Sequence, residues 1–256
     1  MWPSTHHLIR TLGRTPLILK LACIAPLLLL AGSLVPPLAQ AESPTLVSLK
    51  FPDSQGDAPR RTAGAGVRGG PVCITNHPEQ TLVALVPNDL VSLTLTGQPT
   101  FFVYIPTNKA PEAVFELSLN PDQNGSYTQR ITLSGDAGLV EVNLPPEVSI
   151  TPGQEYFWRF SLVCDPKSPE SNAVVQGKVK RTELTASQMA ELAKLTPGSM
   201  AEAEFYASHR IWHEATDVLY GLRTQAPQQW SEWLGSVNLG FLGSQPAALN
   251  GSPVLF

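Results

Sequence analysis

Glu155-Tyr156-Phe157-Trp158-Arg159-Phe160-Ser161-Leu162-Val163-Cys164 is the stretch whose reading decides the fold. Tyr156, Trp158, Phe160, Leu162 and Cys164 stand at every second position. In an extended chain that spacing puts all five on one face. Pro152-Gly153 precedes the run and Asp165-Pro166 follows it, so the sequence predicts a long strand with Trp158 and Cys164 turned into a core. The same period of two recurs upstream. Val91, Leu93 and Leu95 alternate with Ser92, Thr94 and Thr96; Phe115, Leu117 and Leu119 with Glu116 and Ser118; Val140, Val142 and Leu144 with Glu141 and Asn143. Turn signals separate these runs at Gly97-Gln98-Pro99, Asn124-Gly125, Gly135-Asp136 and Pro145-Pro146. About seven strands fit between residues 72 and 183, which is an antiparallel β-sandwich of immunoglobulin-like size.

From Leu184 the period becomes helical, so the fold class is α+β: the sandwich is followed by a small α-helical module over 184–240. Thr185 with Gln188 forms a capping box, Leu184 with Met189 has staple spacing, and Pro197-Gly198 stops the helix. Ser199 with Glu202 opens a second helical stretch reaching about Leu222. Within it Ala203, Tyr206, Trp212, Ala215, Leu219 and Pro227 fall near the spacing of one tetratricopeptide-like repeat, with a bend near His209-Arg210. A single repeat cannot bury its own face. A further short helix carries Trp230, Trp233, Leu234 and Val237, and residues 241–256 read as a loose tail. Tyr206, Trp212, Trp230 and Trp233 are the candidate interaction surface of this module.

The amino terminus reads as an address. Residues 1–41 hold Arg10, Arg14 and Lys20 and no acid, then an apolar run from Leu21 to Val35, then Leu38-Ala39-Gln40-Ala41. Those are the parts of a secretory signal peptide, with small Ala39 and Ala41 at the cleavage site. Pro26, Pro36 and Pro37 leave too little unbroken apolar length for a membrane span. Export to the periplasm or beyond is therefore expected. The chain then remaining has 215 residues, with fourteen basic and 21 acidic side chains. A net charge of −7 without a dense basic stripe excludes nucleic acid as a partner. Residues 42–71, rich in proline and glycine, read as a flexible linker. Cys73 and Cys164 are the two cysteines left, and in an oxidising compartment the simplest expectation for them is a disulfide.

Several patterns imitate chemistry. Gly64-x-Gly66-x-x-Gly69 lacks the strand and helix that dinucleotide binding requires, and it runs into Pro71. Asn120-x-Asp122-x-Asn124-Gly125 opens like a calcium loop, yet Ile131 occupies the twelfth position, where a bidentate glutamate belongs. His209, His213 and Asp217 are spaced as three ligands on one continuous helix, which the bend would scatter. No cofactor or metal is expected. G-x-S-x-G and H-E-x-x-H are absent, so a hydrolase would need an unrecognised carboxylate pair. Phe101, Phe102, Tyr104 and Phe157 are aromatics that could stack on sugar rings if exposed in a row.

The combination resembles a cyanobacterial secreted family called domain of unknown function 928. The likeness covers about residues 58–240. It rests on the run Arg60-Arg61-Thr62 to Gly70 before Cys73, on Leu82-Val83-Ala84-Leu85-Val86-Pro87, and on Gln98-Pro99-Thr100-Phe101-Phe102-Val103-Tyr104-Ile105-Pro106. It continues through Tyr156-x-Trp158-x-Phe160-Ser161-Leu162-Val163-Cys164-Asp165-Pro166 and Ile211-Trp212-x-x-Ala215. His209-Arg210 departs from it, where a glycine-containing helix turn would be expected. The resemblance implies a compartment and an architecture, and no catalytic residue. The expected function is a non-enzymatic envelope protein that binds another protein; a carbohydrate-binding sandwich acting on polysaccharide is the alternative, and a hydrolase the second alternative.

Overall fold

The structure is a computed structural model that describes residues 49–52, 73–75, 81–87, 91–120 and 127–247. Eight strands form two sheets: β1 (Val83–Ala84), β2 (Ser92–Thr94), β3 (Thr100–Ile105), β4 (Glu112–Ser118), β5 (Tyr127–Thr132), β6 (Gly138–Asn143), β7 (Glu155–Leu162) and β8 (Ala173–Arg181). The order is β1-β3-β6 in the smaller sheet and β2-β8-β7-β4-β5 in the larger. Four helices follow: α1 (Ala186–Leu192), α2 (Met200–Ser208), α3 (Trp212–Leu222) and α4 (Pro227–Ser236).

Strand β7 behaves as its period requires. Tyr156, Trp158, Phe160 and Leu162 are buried between the sheets, and Cys164 lies just beyond, bonded to Cys73. The Trp158 indole meets the Phe101 and Phe115 rings at centroid distances of 5.4 and 6.1 Å. It lies over Gly177, its cross-strand partner on β8. A Cβ there would sit 2.7–2.8 Å from three indole atoms. The ring has no room to retreat, so Gly177→Ala is expected to lose roughly 1–3 kcal/mol through overpacking. Urea midpoints for Gly177→Ala and for its exposed neighbour Gln176→Ala check this; equal midpoints would contradict it.

Strand β3 explains why the helices are needed. Phe101, Val103 and Ile105 enter the core between the sheets, whereas Phe102 and Tyr104 enter a second core on the opposite face. The smaller sheet is thus the middle of three layers, covered on one side by the larger sheet and on the other by helices. On α3, Trp212, Ala215, Thr216, Leu219 and Tyr220 are buried, and on α4, Trp230, Trp233 and Leu234, each at helical spacing. The change of period at residue 184 is a change of layer on a shared core, and the described residues fall in one compact unit.

Four expectations need correction. The sandwich has eight strands rather than about seven, and it is not wholly antiparallel, because β2 pairs parallel to β8. The chain beyond Gly240 is packed as far as residue 247: Leu242 is buried, and the Leu139 amide donates to the Pro246 carbonyl at 2.9 Å. Finally, Leu49 and Phe51, read as linker, are buried in the helical core, where Phe51 packs against Trp212 and Trp233. The rest of the expected linker, the signal segment with Ala39 and Ala41, the glycine pattern at 64–69 and most of the calcium-like loop lie outside the described residues.

Candidate functional site

The four aromatics expected to form an open surface are core residues. Trp212, Trp230 and Trp233 are at most 1% exposed and Tyr206 is 9% exposed. Their positions follow from the three-layer build: a helix pair laid on a sheet turns its largest apolar side chains inward. Trp212 stacks on Trp233 at 4.8 Å, and its indole N–H donates to the Leu85 carbonyl on the sheet side. The Trp233 N–H donates to the Thr216 hydroxyl. Tyr206 donates to Glu202, and burial beside that carboxylate pushes its phenol well above the usual range.

The sugar-stacking row is likewise absent. Phe101, Phe102 and Tyr104 are buried, and half-buried Phe157 lies beneath the Lys178 ammonium, 4.9 Å from its ring centroid. Around it, the outer face of the larger sheet carries the cross-strand ion pairs Glu112–Arg130, Glu116–Arg159 and Glu155–Lys178. That is a solvated, charged face and not an aromatic platform.

A cluster of polar side chains on β2 sits where α3 meets both sheets. The alternation is as read, and the buried face is the polar one. Ser92 and Thr94 point inward, and Leu93 and Leu95 pack only partly against the helical core. The reason lies on α3. His213 Nε2 is 2.9 Å from the Ser92 hydroxyl, and Nδ1 is 2.9 Å from the Thr100 carbonyl on β3. A carbonyl only accepts, so Nδ1 carries the proton, and the bare Nε2 shares the single Ser92 proton with the Lys178 carbonyl, 2.7 Å from the same hydroxyl. Glu214 Oε1 accepts from the Thr94 hydroxyl and the Leu95 and Thr96 amides at 2.7–3.0 Å, while its buried Oε2 has no partner among the described residues. One turn of helix therefore fastens the helical layer to both sheets.

Serine and histidine at 2.9 Å have the geometry of a nucleophile and its base. Here both side chains are buried, and the second ring nitrogen is held by a backbone carbonyl instead of a carboxylate. The pair is closed to substrate in this structure and works as a latch. The spaced residues His209, His213 and Asp217 do not converge. His209 caps α2, its ring on the Phe205 carbonyl, while His213 is buried on α3. Among the described residues no group of three or more His, Cys, Asp or Glu converges as metal ligands.

Burial lowers the His213 pKa to about 4, against the opposing pull of the Thr100 carbonyl and Asp217. Burial also raises the carboxyls of Glu214 and Asp217. The signs oppose. A histidine depressed from 6.5 to about 4 contributes stability above pH 6.5 that is lost as the pH falls towards 4, because the unfolded chain binds the proton first. The raised carboxyls do the reverse and favour the folded chain on acidification. The histidine part amounts to roughly 3 kcal/mol over that window. It is isolated by subtraction: the stability advantage of the wild type over His213→Gln should shrink by about that amount between pH 7 and pH 4. Parallel pH profiles would refute it.

The turn between α2 and α3, where a glycine would be expected, holds Arg210 at φ +61°. That left-handed conformation is one L-residues rarely adopt. It sets the guanidinium 5.3 Å from the Phe51 ring centroid and within hydrogen-bond reach of the Pro52 carbonyl. The neighbourhood of Phe51 gave no signal in the sequence, because its partners lie about 160–185 residues away.

No curated protein and no solved structure matches the chain. One family model does, that of the family described as Domain of Unknown Function (DUF928), over residues 63–247. The match takes in the two-sheet unit and the four helices as a single stretch, well over half of the sequence, and the chain belongs to that family.

Proposed function

We propose that this chain is an exported, non-catalytic binding module of the cell envelope. The observation that carries the reading is that its helical layer grips an extended peptide, residues 49–52, contributed from far away in the sequence. Two other features support it. The Cys73–Cys164 disulfide suits an oxidising compartment. The residues with the most catalytic look, Ser92 and His213, are used to hold layers together.

The test is a crosslinked pull-down of the tagged full chain from the envelope of its own cells. Truncation near residue 183 is unsuitable, since it would strip the cover from Phe102, Tyr104 and Leu139. Specific capture of a protein supports the reading. Retention of polysaccharide with no protein would overturn it in favour of sugar binding.

A further inference from the structure

We infer that the cleft between the α2–α3 turn and α4 is a docking site for an extended peptide of the pattern apolar–x–aromatic–proline, held closed in this chain by its own residues 49–52. This deepens the binding-module reading and rests on it.

The segment is bound in the manner of a ligand. Leu49 and Phe51 are buried, Lys50 between them is exposed, and Pro52 is half-buried, which is the in–out alternation of an extended peptide on a surface. Phe51 meets the stacked pair of indoles at near right angles, 5.2 Å from Trp212 and 5.6 Å from Trp233. Its backbone N–H donates to the Ser236 hydroxyl at 3.0 Å. That hydroxyl donates its own proton to the Trp233 carbonyl at 2.6 Å, so it is committed as an acceptor for a peptide amide. Arg210, in its left-handed conformation, closes the other side against the Phe51 ring and the Pro52 carbonyl. Aromatic walls, one side-chain acceptor for a backbone N–H and one donor for a backbone carbonyl recognise an extended chain with an aromatic anchor.

The attachment of the segment is what makes it displaceable. Twenty residues, 53–72, separate Pro52 from Cys73, with five glycines and two prolines among them. Fully extended they reach about 66–72 Å. A flexible connection of that length would hold an attached segment at an effective concentration of around millimolar. A partner's segment with the same anchors must exceed that to enter, so the cis segment sets a threshold and does not block the site permanently.

The probe is a fluorescein-labelled synthetic peptide of residues 46–54, titrated by anisotropy into the full chain and into its Phe51→Ala variant. Binding to the variant is expected to be at least about tenfold tighter than to the wild type. A peptide carrying Phe51→Ala should bind neither. Should the variant fail to fold by circular dichroism, the wild-type cleft is tested with a protease site substituted at residues 63–66. After cleavage, excess labelled peptide should exchange for the released amino-terminal piece. Absence of binding to the folded variant, absence of exchange into the cut chain, or equal binding of the alanine peptide would each overturn the inference. Such a result would leave the pull-down free to find a partner on another surface, so the two failures are distinguishable.

Discussion

Replacing Trp212 with alanine is expected to lower the unfolding free energy by about 3–5 kcal/mol, the range for deleting a fully buried indole. Three contacts fail together: the stack on Trp233, the edge contact with Phe51 and the hydrogen bond to the Leu85 carbonyl. The carbonyl that loses its donor lies at the interface of the helical layer and the smaller sheet, so its desolvation adds to the cavity. For a chain of this size the loss corresponds to a fall in Tm of roughly 10 °C. Thermal unfolding of the variant measures it. A shift under about 2 °C would mean that the indole is not packed as described. A double-mutant cycle with Phe51→Ala adds a sharper check. The two substitutions should be non-additive by about 0.5–1.5 kcal/mol, since the rings touch.

Trp212 also shows where reading the sequence stops. Its helical spacing with Ala215 and Leu219 marks one apolar stripe on α3, and a stripe on a single helix pair looks like an open groove. What covers it is Phe102 and Tyr104 on β3. Strand β3 reads as a nearly continuous apolar run, Phe101 to Ile105, and no alternation assigns a face because both faces are buried. Strand β7 was legible for the opposite reason: one face is buried in the core, the other opens to solvent at Glu155, Phe157 and Arg159, and the period of two survives there. The middle layer of a three-layer fold hides itself in this way.

The polar latch was hidden by a different rule. A period of two gives two faces and leaves open which one is buried; hydrophobicity ordinarily decides in favour of leucine over serine and threonine. On β2 the decision goes to Ser92 and Thr94, because His213 and Glu214 on α3, with the Lys178 carbonyl on β8, give them partners. His213 and Glu214 are adjacent on one helix, yet their partners are more than 110 residues upstream. Leu49 and Phe51 escaped notice for another reason: the short apolar run Leu46-Val47-Ser48-Leu49-Lys50-Phe51 merges into the proline- and glycine-rich stretch that follows it. Local composition there describes the neighbours and says nothing of a cleft formed by the far end of the chain.

Loss of the Cys73–Cys164 bond should be the other large effect. The cysteines are 91 residues apart, and for a loop of that length the chain-entropy model gives about 4–5 kcal/mol, with the range of native bonds at roughly 2–5. Local structure suggests that much of this is realised. Cys73 belongs to a short segment held to residues 107–109 beyond β3 by backbone hydrogen bonds of 2.7 and 3.0 Å. Cys164 follows β7, its amide fixed by the Asn172 side chain. One bond therefore ties the chain leaving the smaller sheet to the end of a strand of the larger. Complete reduction, or the double substitution Cys73→Ala with Cys164→Ala, is expected to lower Tm by roughly 10 °C, with the secondary structure retained at 20 °C. An unchanged Tm after verified reduction would show that residues 73–75 are held without the bond. The same thiols report on the compartment. Non-reducing peptide mapping of protein taken from its own cells should recover the linked pair, and two free thiols there would remove the support the disulfide lends to export.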